Sequence, residues 1–128
     1  MANVTVNDYS DKILSAYQLA KERSLVTIGE KAEELAKNET IVKTGRLRNS
    51  ITHAVSGESK TFTYTDKEGK SYTGGLNAPD DGDSAVYVGT SVEYAPIIEA
   101  RDHFLVRAAT AHPNTYKKII EDEFAKIK

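Results

Sequence analysis

The sequence predicts an α+β fold in which a long N-terminal helix and a C-terminal helix pack on one face of a small antiparallel sheet, with a protruding β-hairpin insertion. Three observations carry this expectation. Apolar residues recur every three or four positions at the start of the chain, alternate with a period of two in its middle, and return to helical spacing from Phe104 onward.

The first block places Ile13, Tyr17, Ala20, Ser24, Ile28, Ala32 and Leu35 on one stripe of a helix running from about Asp8 to about Lys37. Asn7 or Asp8 is suited to cap its start and Asn38 to close its end. Gly29 in the interior weakens such a helix by about 1 kcal/mol relative to Ala, so a packing reason or a bend is expected there. In the middle, Ser50 to Ser56 and Lys60 to Thr65 alternate as strands do. Asp66-Lys67-Glu68-Gly69 supplies a turn, and Lys70 to Thr73 returns as a short partner strand. Gly74 to Ser84, rich in Gly and Asp, reads as loop, and Ala85 to Thr90 as a further strand. The last block forms two short stripes, Phe104, Ala108, Ala111 and then Tyr116, Ile120, Phe124, Ile127. Pro113 between them favours a break. The expected organisation is one domain over 1–128, with 57–84 as a hairpin and loop insertion.

Composition narrows the function. With no cysteine there is no disulfide framework, thiolate nucleophile or zinc–cysteine site. Seventeen basic residues against nineteen acidic ones leave a net charge of -2, so any nucleic-acid role needs a local patch. Met1 to Asn7 lack the pattern of a signal peptide, and no run of eighteen apolar residues occurs, so no membrane contact is expected.

A search for chemistry gives little. His53, His103 and His112 are not spaced as a helical metal pair, and the serines and glycines form no nucleophile elbow or phosphate loop. Glu99 and His103, four apart, are expected to make an ion pair rather than a catalytic one. Glu121, Asp122 and Glu123 point in different directions around a helix, and Asp80, Asp81 and Asp83 lack the closing glutamate of a calcium loop. No catalytic residue, cofactor or metal is expected.

Three segments stand out: T-G-R-L-R-N-S-I from Thr44 to Ile51, V-Y-V-G-T-S-V-E-Y-A-P from Val86 to Pro96, and F-L-V-R-A-A from Phe104 to Ala109. Pro96 is expected to hold Ala95 extended, so that the chain leaves the sheet in a fixed direction. In this order, between an N-terminal and a C-terminal helix, the segments resemble a family of phage neck proteins, also described as head-tail joining, tail-completion or minor tail components of long-tailed phages. The resemblance implies an α+β virion subunit, made in the host cytoplasm, that forms a ring in the neck and has no catalytic activity. Its implied partners are further copies of itself and the neighbouring head-tail connector and tail proteins, with phage DNA passing through the ring without sequence-specific binding. Two departures are visible: the Gly-Thr that often follows Tyr-Ala-Pro is absent, and Gly57 to Ser84 is long for its position.

For such an assembly, Arg46 and Arg48 are expected to pair with Glu93, Glu99 or a neighbour's acids, while Leu47 and Tyr94 supply apolar anchors. Packing of Leu47 and Tyr94 within the chain is the competing expectation. The insertion carries Phe62, Tyr64, Tyr72 and Leu76, too few large apolar groups to hold it alone, so contact with a neighbouring subunit or an adjacent ring is expected to fix it. The alternative function is a nucleic-acid-binding module that gathers Arg46, Arg48, Arg101 and Arg107 on one surface.

Overall fold

Residues 2–40, 45–80, 82 and 84–127 are described by the structure, a computed structural model, with side chains from Lys12 onward. The proposed caps at Asn7 and Asp8, the segment start Thr44, and the loop residues Asp81 and Asp83 therefore lie outside the described side chains.

Helix α1 (Ala2–Glu39) is about 57 Å long at 1.5 Å per residue. Its expected stripe is buried at Ala20, Ser24 and Ala32 and continues to Ala36. Ser24 fits an apolar face because its hydroxyl donates to the Ala20 carbonyl at 2.8 Å. At the front of the same stripe Ile13 and Tyr17 are 37% and 49% exposed. The far end closes on Thr40, not Asn38, because the Thr40 hydroxyl reaches back to the Ala36 carbonyl.

Two short antiparallel sheets follow. Strand β1 (Thr52–Val55) pairs with β4 (Val86–Gly89), Thr52 opposite Gly89 and Val55 opposite Val86. Strand β2 (Ser59–Thr65) pairs with β3 (Ser71–Asn77), Tyr64 opposite Tyr72. The β1–β4 sheet lies on α1 at Gly29, where a Cβ would stand 2.5 Å from His53 Cδ2 and 2.7 Å from Val86 Cγ2. Helix and sheet approach too closely for a side chain, which is the packing reason for that glycine.

Strand β3 runs on through Gly74 and Gly75 to Asn77, past the loop boundary expected after Thr73. The ring of Tyr64 occupies the space a side chain at Gly74 would take, so the glycine serves pairing here rather than a turn. The turn itself is as expected, with Gly69 at φ +85° and Asp66 Oδ1 accepting the amides of Glu68 and Lys70 at 2.9 and 3.0 Å.

Between α1 and β1 the chain makes a helical turn, α2 (Arg46–Ser50), where strand was expected from Ser50. The turn directs Leu47 and Ser50 inward together with Ile51. After β4 comes α3 (Ala95–Asp102), which corrects the expectation that Pro96 keeps Ala95 extended. Pro96 sits in the first helical turn, where its missing N–H has no partner to lose. Helix α4 (Phe104–Thr110) follows, and α5 (Pro113–Phe124) starts at the proline, so the chain breaks there. On α5 it is Tyr116, Ile119 and Phe124 that are partly covered, whereas Ile120, placed on the stripe by its spacing, is 42% exposed. One core holds these parts together: Ala36, Leu47, Ile51, Tyr64, Phe104 and Ala108 are all buried in a single cluster, and Phe104 has 0% exposure.

Candidate functional site

Arg46 is the centre of the most connected group of polar side chains. Gly45, at φ +84°, turns the chain into α2 in a left-handed conformation that other residues adopt at a cost. The Arg46 side chain is thereby placed with its guanidinium carbon 4.4 Å from the Tyr72 ring centre and 5.6 Å from that of Tyr94. Both distances fall within cation–π range. In the plane of the fork, Nη1 and Nη2 donate to the two carboxylate oxygens of Glu93 at 3.0 and 2.9 Å. Hydrogen bonding to Glu93 raises the Arg46 pKa, and Glu93 is held below the usual carboxylate range by its own backbone amide and then by Arg46.

An aromatic row continues from this pair. Tyr72 stacks on Tyr64 at 5.6 Å, and Tyr64 meets Phe62 at 5.6 Å. The Tyr72 hydroxyl donates to Asp66 Oδ2 at 3.2 Å, and burial followed by this carboxylate raises its pKa. Tyr64 is only 8% exposed, and Phe62 and Tyr72 pack against the core. Asn49 Nδ2 adds a bond to the Thr65 carbonyl at 2.6 Å. The hairpin thus has anchors within its own chain, and a cation within reach of two rings adds to its few apolar groups.

A second link joins the same segments. Ser50 Oγ donates to the Leu47 carbonyl at 2.6 Å, so at the 2.5 Å contact between Ser50 and Thr90 the proton comes from Thr90. Thr90 Oγ1 in turn accepts the Val92 amide at 3.2 Å.

The remaining candidates separate. Leu47 is 7% exposed and belongs to the core, so it offers no surface anchor. Tyr94 is partly buried beside Arg46. Arg48 is exposed and, among the described residues, makes no ion pair. Glu99 does not pair with His103: its two oxygens accept the amides of Leu105 and Val106 at 2.8 and 3.0 Å. These are the second and third amides of α4, those an N-cap side chain serves. His103 at the junction has φ 55°, closing α3 and opening α4 through its backbone. His53 Nδ1 lies 3.2 Å from Glu33 Oε1, joining β1 to α1. Among the described residues no group of three His, Asp or Glu side chains could hold a metal. Nor is any helix among them long and apolar enough to cross a membrane.

Sequence reasoning passed over the exposed side of α1. Leu14, Leu19 and Val26 are 66%, 46% and 45% exposed, and the visible signal was that each stands off the expected stripe. Comparison with family models, curated proteins and solved structures finds no match to this chain.

Proposed function

We propose that this chain is a structural subunit of a tailed-phage neck, not an enzyme, and that copies of it form a ring helping to connect head to tail. One observation carries the reading. The three segments on which the resemblance rests close on one another in space through Arg46–Glu93, Ser50–Thr90 and the shared burial of Leu47, Ile51, Val92, Ala95, Phe104 and Ala108. A motif whose residues interlock in this way specifies a scaffold. Its central polar groups serve one another, Arg46 with Glu93 and Ser50 with Thr90, while Arg48 stands exposed. The proposed partners are further copies and the adjoining head-tail connector and tail proteins, with DNA passing through the ring.

The arginine-patch alternative gains nothing from the geometry. Arg46 pairs with Glu93, Arg101 with Asp102 at 3.0 Å and Arg107 with Glu39 at 3.5 Å, so three of the four charges are offset locally. The test of the neck reading is a phage lacking this coding sequence. Heads and tails that accumulate unjoined, with the protein found at the neck of complete wild-type particles by labelled electron microscopy, are the expected result. Joined, infectious particles formed without it would overturn the proposal.

A further inference from the structure

We propose that the α3–α4 junction is a two-state joint, in which the break at His103 closes to join α3 and α4 into one continuous helix from Ala95 to Thr110. The joint belongs to the single chain and stands or falls apart from the neck reading.

Among the described residues the chain uses glycine at every positive-φ position, Gly45, Gly57, Gly69 and Gly82, except at His103 with φ 55°. The left-handed conformation is unfavourable for histidine, which enters a helix more readily than glycine does. The backbone on either side is already helical. His103 N–H donates to the Glu99 carbonyl at 2.8 Å, and the His103 carbonyl accepts the Arg107 N–H at 2.9 Å, both with the spacing of an α-helix. One helix needs only the three bonds between these, from the amides of Phe104, Leu105 and Val106 to the carbonyls of Ala100, Arg101 and Asp102. In the broken form the Glu99 carboxylate takes two of those amides, Leu105 and Val106, at 2.8 and 3.0 Å. They therefore have alternative acceptors, a side chain in one form and the main chain in the other, and neither form leaves them open.

The apolar pattern also runs through the break. Ile97, Ala100, Phe104 and Ala108 stand three or four apart, as on one stripe of a single helix. Phe104 and Ala108 are fully buried, whereas Ile97 is 73% exposed and Ala100 is exposed as well. The local pattern thus favours a continuous helix that the tertiary structure interrupts. What holds the break is the Glu99 carboxylate, together with the burial of Ala95 and the packing of Ile98 against the core. The broken form is the major one, and the continuous helix a minor state in the range of about 0.1–10% typical of two-state elements.

Amide hydrogen exchange followed by NMR on the full chain tests the joint. Glu99→Ala alone opens the Leu105 and Val106 amides and speeds their exchange. Adding His103→Ala should slow that exchange again by about threefold or more, because alanine favours the helix, where main-chain carbonyls take over. Contacts between Hα of one residue and HN of the third one on should then appear across the junction, from Ala100 through Val106. Adding His103→Gly instead should bring neither change, since glycine accepts the left-handed form freely. A fixed break predicts the opposite order, alanine straining the junction and glycine easing it. No slowing with His103→Ala, or equal slowing with His103→Gly, would overturn the proposal. So would loss of helical shifts over residues 95–102 in Glu99→Ala/His103→Ala, which would mean that α3 frays rather than joins α4. If the Glu99→Ala chains fail to fold, His103→Ala and His103→Gly are compared in the otherwise unchanged protein. Stronger cross-junction contacts in the alanine variant are then expected, and their absence from both would refute the joint.

Discussion

Replacing Gly29 by Ala tests how closely the long helix and the β1–β4 sheet are fitted. In an isolated helix the change stabilises by about 1 kcal/mol. Here the new methyl would lie 2.5 Å from His53 Cδ2 and 2.7 Å from Val86 Cγ2, so both side chains must move. Overpacking of this kind costs about 1–3 kcal/mol. His53 cannot yield without loss, because its Nδ1 is held at 3.2 Å from Glu33, and weakening that bond costs a further ~0.5–1.5 kcal/mol. Set against the helix gain, the expected net effect is a destabilisation of about 2 kcal/mol. With an unfolding entropy of roughly 2.1 cal/mol/K per residue over 128 residues, that lowers the melting temperature by about 7 °C. Thermal unfolding followed by circular dichroism measures it. In a His53→Ala background the same change should cost at least about 1 kcal/mol less, since the ring it strikes is gone. A Gly29→Ala protein that melts at or above the wild-type temperature would refute the close-approach argument.

Phe104→Ala, at a fully buried site, should destabilise by about 3–5 kcal/mol in chemical denaturation, and a loss under about 1 kcal/mol would contradict its place in the core. Glu99→Ala removes the acceptor of two α4 amides and should cost about 0.5–2 kcal/mol, with faster hydrogen exchange at Leu105 and Val106 as its local mark. Burial pushes the Glu33 carboxyl up, but the Lys37 charge and hydrogen bonds from His53 and Lys37 outweigh it and hold the pKa below its ordinary 4.5. A depressed carboxyl stabilises above its unfolded value and loses that contribution as pH falls through the folded one, so wild type should lose stability below about pH 4.5 more steeply than Glu33→Gln. Arg46→Lys keeps the charge but loses the bidentate fork and the flat ring contacts, and should raise hydrogen exchange in the β2–β3 hairpin more than Glu93→Gln does.

Much of the fold is legible in the sequence because it follows from local rules. The i, i+4 run from Ala20 to Ala32, the turn at Gly69 and the break at Pro113 each depend on neighbours along the chain. The misreadings lie where tertiary contact overrides local preference. Glycine at 74 and 75 signals loop by composition, but the Tyr64 ring converts Gly74 into a place where strands can pair. Ser50 begins an alternating run, yet its hydroxyl is drawn into α2 by Leu47 and Thr90. Of the candidate site, Arg46–Glu93 was one of several pairings expected for the two arginines, whereas the approach of Arg46 to Tyr72 and Tyr94 was not expected, because the rings come from two segments with no shared spacing. Ile13 and Tyr17 show the converse: periodicity placed them on a core stripe but could not show that the covering helix ends at Phe124.

This division bears on where function can reside. A side chain fixed by a bidentate carboxylate and two rings is poorly placed to serve a neighbouring subunit as well, since a new partner must first displace contacts already made. The same holds for Glu99, both of whose oxygens are engaged, and for Leu47, which is inside. A ring of the kind proposed would therefore draw on groups the scaffold leaves unspent. Arg48 is one such charge, and the exposed apolar residues of α1 are the largest such surface, five of the eight large hydrophobic side chains exposed among the described residues. Residues that define the fold by their spacing are then those whose loss unfolds the monomer. Of those five on α1, Leu14, Leu19 and Val26 lie off the stripe, where the sequence pattern gives least warning.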